Sequence, residues 1–245
     1  MRLPRWAGRA AADPEPELTG ADLREEGRES RWEAAPAVLL IIVLQAILAG
    51  ISKQQEWHLW RLPWWVWLCA IVPEVLLLIP LATESGRNQL EHMGIRRKVS
   101  LLLLGVISVV NGLGLLALIA SLVTGHETSG TQLLMKAAVV WSTNVVTFGL
   151  WYWAFDRGGP LRRLEPNPPP PDFQFPQMEN PQLAAPGWRP QLVDYMYVSF
   201  TNSIAFSPTD AMPLSRQAKL LMLIESSASS VTILLAAARA VNILR

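Results

Sequence analysis

Apolar residues run through this chain in blocks of membrane length. Residues 36–52, 62–82, 99–123, 133–155 and 220–243 each hold an almost unbroken apolar stretch. A helix needs about 20 such residues to cross a bilayer. The first block is the shortest, yet its run AVLLIIVLQAILAGI carries only Gln45 as a polar residue. The pattern predicts five transmembrane helices. Between the fourth and fifth lies a short mixed segment, 191–205, followed by the turn Phe206, Ser207, Pro208, Thr209, Asp210. This layout predicts a half-helix dipping into the membrane, an irregular return, and then a spanning helix.

The polar stretches divide the rest. Residues 1–35 carry six arginines against eight acidic residues, with Pro14 and Pro16 breaking any early helix. They read as a disordered polar arm, although 21–33 has the composition of a short charged helix. No apolar run follows the first few residues, so the arm does not read as a secretory signal. Residues 36–123 form a three-helix membrane region. Residues 131–245 form a second module: an outer helix at 133–155, a spacer at 156–190, the half-helix at 191–205 and an inner helix at 214–243. Residues 159–190 hold ten of the chain's 19 prolines. Proline lacks an N–H and fixes its φ, so this stretch reads as a stiff extended spacer or a proline-motif ligand. Tryptophans crowd the predicted helix ends: Trp57, Trp60, Trp64, Trp65 and Trp67 around the start of the second span, Trp151 and Trp153 with Tyr152 at the end of the fourth. Such rings favour the headgroup level.

Composition agrees with a membrane protein. The mean hydropathy is +0.24 and only 17% of residues are charged, against about 25% in a soluble domain. Among candidate chemistries, Cys69 is the single cysteine, and His58, His92 and His126 lie in separate loops or loop edges. No metal-ligand spacing, phosphate loop or catalytic constellation is present, so neither a cofactor, an enzyme nor a nucleic-acid partner is expected. Two carboxylates fall inside spans. Glu74 lies between Pro73 and Pro80, where an unpaired charge costs about 2.5–3.5 kcal/mol on insertion scales. It reads either as a proton or cation relay or as a buried hydrogen-bond partner of Asn111 or Asn144. Glu225, one turn into the last span, precedes Ser226, Ser227, Ala228, Ser229 and Ser230. That small-residue run suits close helix packing, with Glu225 orienting a neighbouring loop.

The C-terminal fifth of the chain resembles the pore module of bacterial potassium channels. Tyr197, Ser199 and Phe200 match that family's pore helix, Asp210 the aspartate after its filter, and Pro213 the proline beyond. Glu225 matches the inner-helix glutamate; Ala238, Arg239, Val241 and Leu244 match the helix end. The resemblance implies a homotetramer, with Ala205 to Asp210 at the filter and Tyr197, Phe200, Glu225 and Arg239 supporting it. Over its whole length the chain also resembles an uncharacterised domain-of-unknown-function family of bacterial multi-span membrane proteins. The filter itself departs from the pattern. Its positions are Ala205, Phe206, Ser207, Pro208 and Thr209, without the glycines that turn backbone carbonyls into the pore. Potassium selectivity is therefore not expected. A wider pore lined by Ser207, Thr209 and Asp210, passing other monovalent cations, and a sealed pore both remain open.

Charge and resemblance disagree on orientation. Arg87, Arg96, Arg97 and Lys98 follow the second span; Arg157, Arg162, Arg163 and Arg189 follow the fourth. The positive-inside rule puts these loops, the N-terminus and the half-helix on the cytoplasmic side. Potassium channels place that loop outside, whereas ionotropic glutamate receptors invert it. The expectation is thus an all-α, multi-pass protein of the cell membrane with about five transmembrane helices and a re-entrant, pore-loop-like half-helix. The functions it fits are a pore-loop channel, a non-conducting scaffold that keeps the pore fold, or a small proton-coupled transporter using Glu74.

Overall fold

A computed structural model describes residues 20–54, 64–124, 130–185, 187–207 and 210–243. The fold is all-α apart from one two-residue ladder. Its long helices are α1 (Gly20–Gln54), α2 (Trp64–Ala82), α4 (Arg96–Thr124), α5 (Gly130–Phe155) and α8 (Arg216–Ile243). Four of them contain segments long and apolar enough to cross a membrane: Ala34–Gln54, Arg96–Ser121, Gly130–Gly158 and Arg216–Ala238. A fifth qualifies if α2 is taken with α3 (Glu84–His92), which turns from it by 85°. Gly86 sits in this elbow, where an added Cβ would come within 2.6 Å of the Pro80 carbonyl oxygen. The described residues of the predicted spans lie within the observed helices; 62 and 63, at the start of the second, lie outside the described residues.

The polar arm differs from expectation. From Gly20 onward it is continuous with the first membrane helix, and Pro36 lies inside that helix. The residues at 1–19 lie outside the described ones. A charged sequence without an apolar face gains little from helix formation alone; being joined to a membrane helix removes the nucleation step that would otherwise oppose it.

Helices α1, α4, α5 and α7 (Leu192–Ala205) share an apolar cluster built around Ile41, Ile107 and Leu150. Antiparallel pairing of α4 with α5 is fixed by polar contacts. Trp151 Nε1 donates to Ser108 Oγ at 2.7 Å, and Asn111 Nδ2 to Asn144 Oδ1 at 3.0 Å. Asn144 in turn donates to Ser229 Oγ on α8 at 3.2 Å.

The proline-rich stretch is a folded cap rather than a free spacer. It contains β1 (Phe173–Gln174), the short α6 (Pro176–Glu179) and two 3-10 turns before α7. Strand β1 pairs antiparallel with β2 (Met212–Pro213), with Phe173 opposite Pro213. Phe173 and Phe175 are buried on alternate positions of this extended segment. Their rings meet Tyr195 edge-on, at 6.2 and 5.4 Å between centroids. The prolines deny the segment a long helix, and the aromatics supply the apolar area that lets its extended part dock. Arg163, three residues before the first proline of the PNPPPP run, is engaged beneath the cap.

Helix α7 is about 21 Å long at 1.5 Å per residue, too short for a hydrocarbon core of about 30 Å. It descends antiparallel to α5: Met196 lies against Gly149, Ser199 against the Val145 carbonyl, and Phe200 against Trp141. The chain then returns to the cap by β2. Gly149 permits this close crossing, because a Cβ there would lie 2.5 Å from Met196 Sδ and 3.2 Å from its Cα. Replacing Gly149 by Leu should push α7 off α5 at a cost of about 1–3 kcal/mol, and Gly149→Ala should cost less. Unfolding in mixed detergent measures both. Equal stability of Gly149→Leu and the wild type would show that the crossing is not tight.

Candidate functional site

The side chains that hold α7 in place converge on Glu225. It is fully buried on α8. Oε2 accepts from the Tyr152 hydroxyl on α5 and, at 2.6 Å, from Asn202 Nδ2 on α7. Oε1 accepts from the Ser199 hydroxyl, which also lies 2.7 Å from the Val145 carbonyl oxygen of α5. Asn202 binds α8 twice more: Nδ2 donates to the Met222 carbonyl at 3.1 Å, and Oδ1 accepts from Ser226 Oγ at 3.0 Å. One carboxylate thus ties three helices together at membrane depth. Ser199 and Asn202 reach it jointly because residues three apart share a helix face.

A second cluster fastens the entrance of α7. Asp156, fully buried at the end of α5, accepts from the Tyr195 hydroxyl at 2.5 Å and from the Asp172 backbone N–H at 2.7 Å. Arg163 Nη1 lies 3.8 Å from Asp156 Oδ2 and donates at 2.9 Å to the Trp153 carbonyl and to the Tyr195 oxygen. Burial pushes the Tyr195 phenol well above its ordinary range, against the pull of the Arg163 guanidinium. At the first turn of α7, Asp194 accepts from the Gln191 N–H at 2.7 Å, a capping contact that satisfies one of the free donors at a helix start. Burial raises the Asp194 carboxyl, the Gln191 N–H opposes this, and Asp210 adds to the rise.

The turn after α7 carries the filter-like positions. Phe206 adopts the left-handed conformation at φ 53° and closes the helix, its N–H donating to the Asn202 carbonyl at 3.1 Å. Glycine or asparagine commonly takes this place; a residue with a Cβ is disfavoured there by about 1–2 kcal/mol. Ala205, Phe206, Ser207 and Asp210 are exposed on the single chain, and Ala211 is buried again under the cap. Pro208 and Thr209 lie outside the described residues, as does the Arg239 side chain, whose backbone continues α8. Tyr197 is 52% exposed on the outer face of α7, in line with Val193 and Ile204. Phe200, half exposed, meets Trp141 edge-on at 5.7 Å.

Two expectations are corrected. Glu74 is fully buried, but its partner is Gln45 on α1, whose Nε2 donates to Oε1 at 3.1 Å. The asparagines proposed for it bond to each other and to Ser229 instead, because they face the α4–α5–α8 side of the bundle. Tyr152 is not an interfacial anchor, since it is fully buried beneath the cap and bonded to Glu225. Its hydroxyl needs a partner at that depth, and the only signal for one was the carboxylate 73 residues away. Among the described residues no group of three or more histidines, cysteines, aspartates or glutamates is placed to hold a metal ion. Comparison with protein-family models, with curated proteins and with solved structures finds no match to this chain.

Interhelical hydrogen bonds in membranes average about 0.6 kcal/mol. Glu225→Leu removes three acceptor contacts and should cost about 2 kcal/mol on that scale. Glu225→Gln keeps one carbonyl acceptor and should cost less. Equilibrium unfolding of the detergent-solubilised protein separates the two. If Glu225→Leu proves as stable as Glu225→Gln, the carboxylate does not hold α7.

Proposed function

We propose that this protein is a pore-loop membrane channel whose constriction is formed by residues 205–210 and does not select potassium. The observation that carries this reading is α7: a helix too short to span, wedged between α5 and α8, bonded to Glu225 and followed by a return segment. Backbone that is neither helix nor closed sheet is tolerated at membrane depth where protein buries it or water fills the space. A loop that enters and leaves by the same face has that requirement built in, and several copies around an axis would enclose water. The outward residues of α7, Val193, Tyr197, Phe200 and Ile204, repeat at the spacing of one helix face. In a homotetramer this face meets the neighbouring copy, which gives Tyr197 and Phe200 the supporting role the resemblance implies. Ser207, Thr209 and Asp210 offer oxygen atoms to a monovalent cation.

The first turn of α4, with Arg96, Arg97 and Lys98, and the segment after α5, with Arg157, Arg162 and Arg163, lie at the capped end, together with the start of α8. The opposite helix ends carry fewer, Lys53, Lys136 and Arg239. By the positive-inside rule the capped end faces the cytoplasm of a cell-membrane protein, so α7 enters from the inside. A second reading, a non-conducting scaffold that keeps the pore fold, is favoured by Phe206, a bulky residue closing the half-helix where a filter would begin.

Purified protein in planar bilayers is expected to pass monovalent cations without preferring potassium. Silence across several cations and voltages, or a monomer by mass in detergent, would overturn the channel reading, since one loop cannot enclose a pore. Reporter fusions are expected to place the N-terminus inside and the C-terminus outside. Cytoplasmic activity at the C-terminus alone reverses the orientation.

A further inference from the structure

At the capped end, the beginning of the first span, the ends of α2 and α5 and the start of α4 surround a crevice of about 110 Å³. Its walls are apolar, with Val38, Leu78, Leu103, Leu104 and Leu150 along its depth. It stays open because Ala34, Ala35, Ala82, Ala154 and Ser100 are too short to meet across it. A cavity with such walls does not retain water and favours hydrocarbon. In a bilayer the abundant hydrocarbon is the lipid chain.

Arg96 also lines the crevice, and its neighbours Arg97 and Lys98 are exposed on the same first turn of α4. Residues 84–98 carry four basic side chains against Glu84 and Glu91. Arg96 Nη1 pairs with Glu91 at 2.6 Å. A guanidinium presents five N–H donors in a planar fork, so further donors can turn to a phosphate while that pair persists.

We propose that this crevice binds one anionic phospholipid, an acyl chain between α1, α2, α4 and α5 and the headgroup phosphate on Arg96, with Arg97 and Lys98 beside it. The apolar walls select a chain, and the basic rim selects a negative headgroup. This site does not depend on whether the loop conducts. It does connect the first three membrane helices to α5, so a bound lipid braces the helix whose end anchors Arg163 and Asp156.

Native mass spectrometry of the full chain in mild non-ionic detergent tests this, with phosphatidylglycerol and phosphatidylcholine of equal chain length added together and inorganic phosphate as competitor. The expected result is one retained phosphatidylglycerol per protomer, preferred over phosphatidylcholine. One basic residue near the surface contributes about 1 kcal/mol, so Arg96→Gln should lower that preference about fivefold. Ala35→Phe should fill the crevice and reduce retention of both lipids; Ser100→Leu provides the same test if the first variant does not fold. Equal retention of the two lipids in the wild type overturns the proposal. So does undiminished retention in a crevice-filling variant that folds. Full displacement by inorganic phosphate shows a simple anion site and overturns it as well.

Discussion

The arrangement of the second half of the molecule depends on one constraint: a half-length helix cannot sit in hydrocarbon unless its polar groups are answered by protein. Lipid offers no hydrogen bonds, and apolar side chains gain little by exchanging lipid for each other. What holds α7 is therefore polar and geometric. Glu225 draws in Ser199 and Asn202 from α7 and Tyr152 from α5, while Gly149 lets the α7 backbone come close. Remove the carboxylate and the Tyr152 hydroxyl loses its acceptor, while Ser199 and Asn202 keep only the Val145 and Met222 carbonyls.

The cap completes this arrangement from outside. Asp156, at the end of α5, gathers the backbone of the proline-rich segment, the Tyr195 hydroxyl and the Arg163 guanidinium. Phe173 and Phe175 then seal the entrance of α7, and the β1–β2 ladder ties the returning chain to the segment that preceded it. Both ends of the half-helix are thus fastened to α5 by different chemistry. Near its start an ion pair, capping contacts and aromatic packing hold it; deeper in, a single carboxylate and small side chains do so. The front helices meet the same framework through α5, with Gln45 and Glu74 forming a separate polar contact between α1 and α2.

Much of the fold is legible in the sequence because the bilayer imposes a length. A run of about 20 apolar residues in a chain of low charge has few other uses, and the predicted spans fall on the observed helices. The half-helix at 191–205 is visible for a related reason: its residues are too polar for a span and too apolar for a loop, and a proline-rich stretch precedes it. The observed helix, Leu192–Ala205, differs by one residue. The reach of α1 back to Gly20 is not visible, because a charged segment joined to a membrane helix carries no apolar period of its own.

Side-chain partnerships are another matter. Glu225 stands out as an ionisable residue in a span, but nothing in the order of residues joins it to Tyr152, 73 positions away. Nor does it assign Glu74 to Gln45 rather than to Asn111 or Asn144. All are polar residues in apolar runs, and which ones face each other depends on helix rotation, set by packing across several helices at once. The proline-rich stretch shows the same limit. Its sequence excludes a long helix but leaves open whether the extended chain floats or docks, because docking depends on a pocket made by Tyr152, Tyr195 and Ala218 from three other elements. By itself the sequence determined that several helices are long and apolar enough to cross a membrane, where the short one lies and that its turn lacks the potassium filter's glycines. Only the tertiary structure decided what holds that short helix, since the energy resides in contacts between groups far apart along the chain.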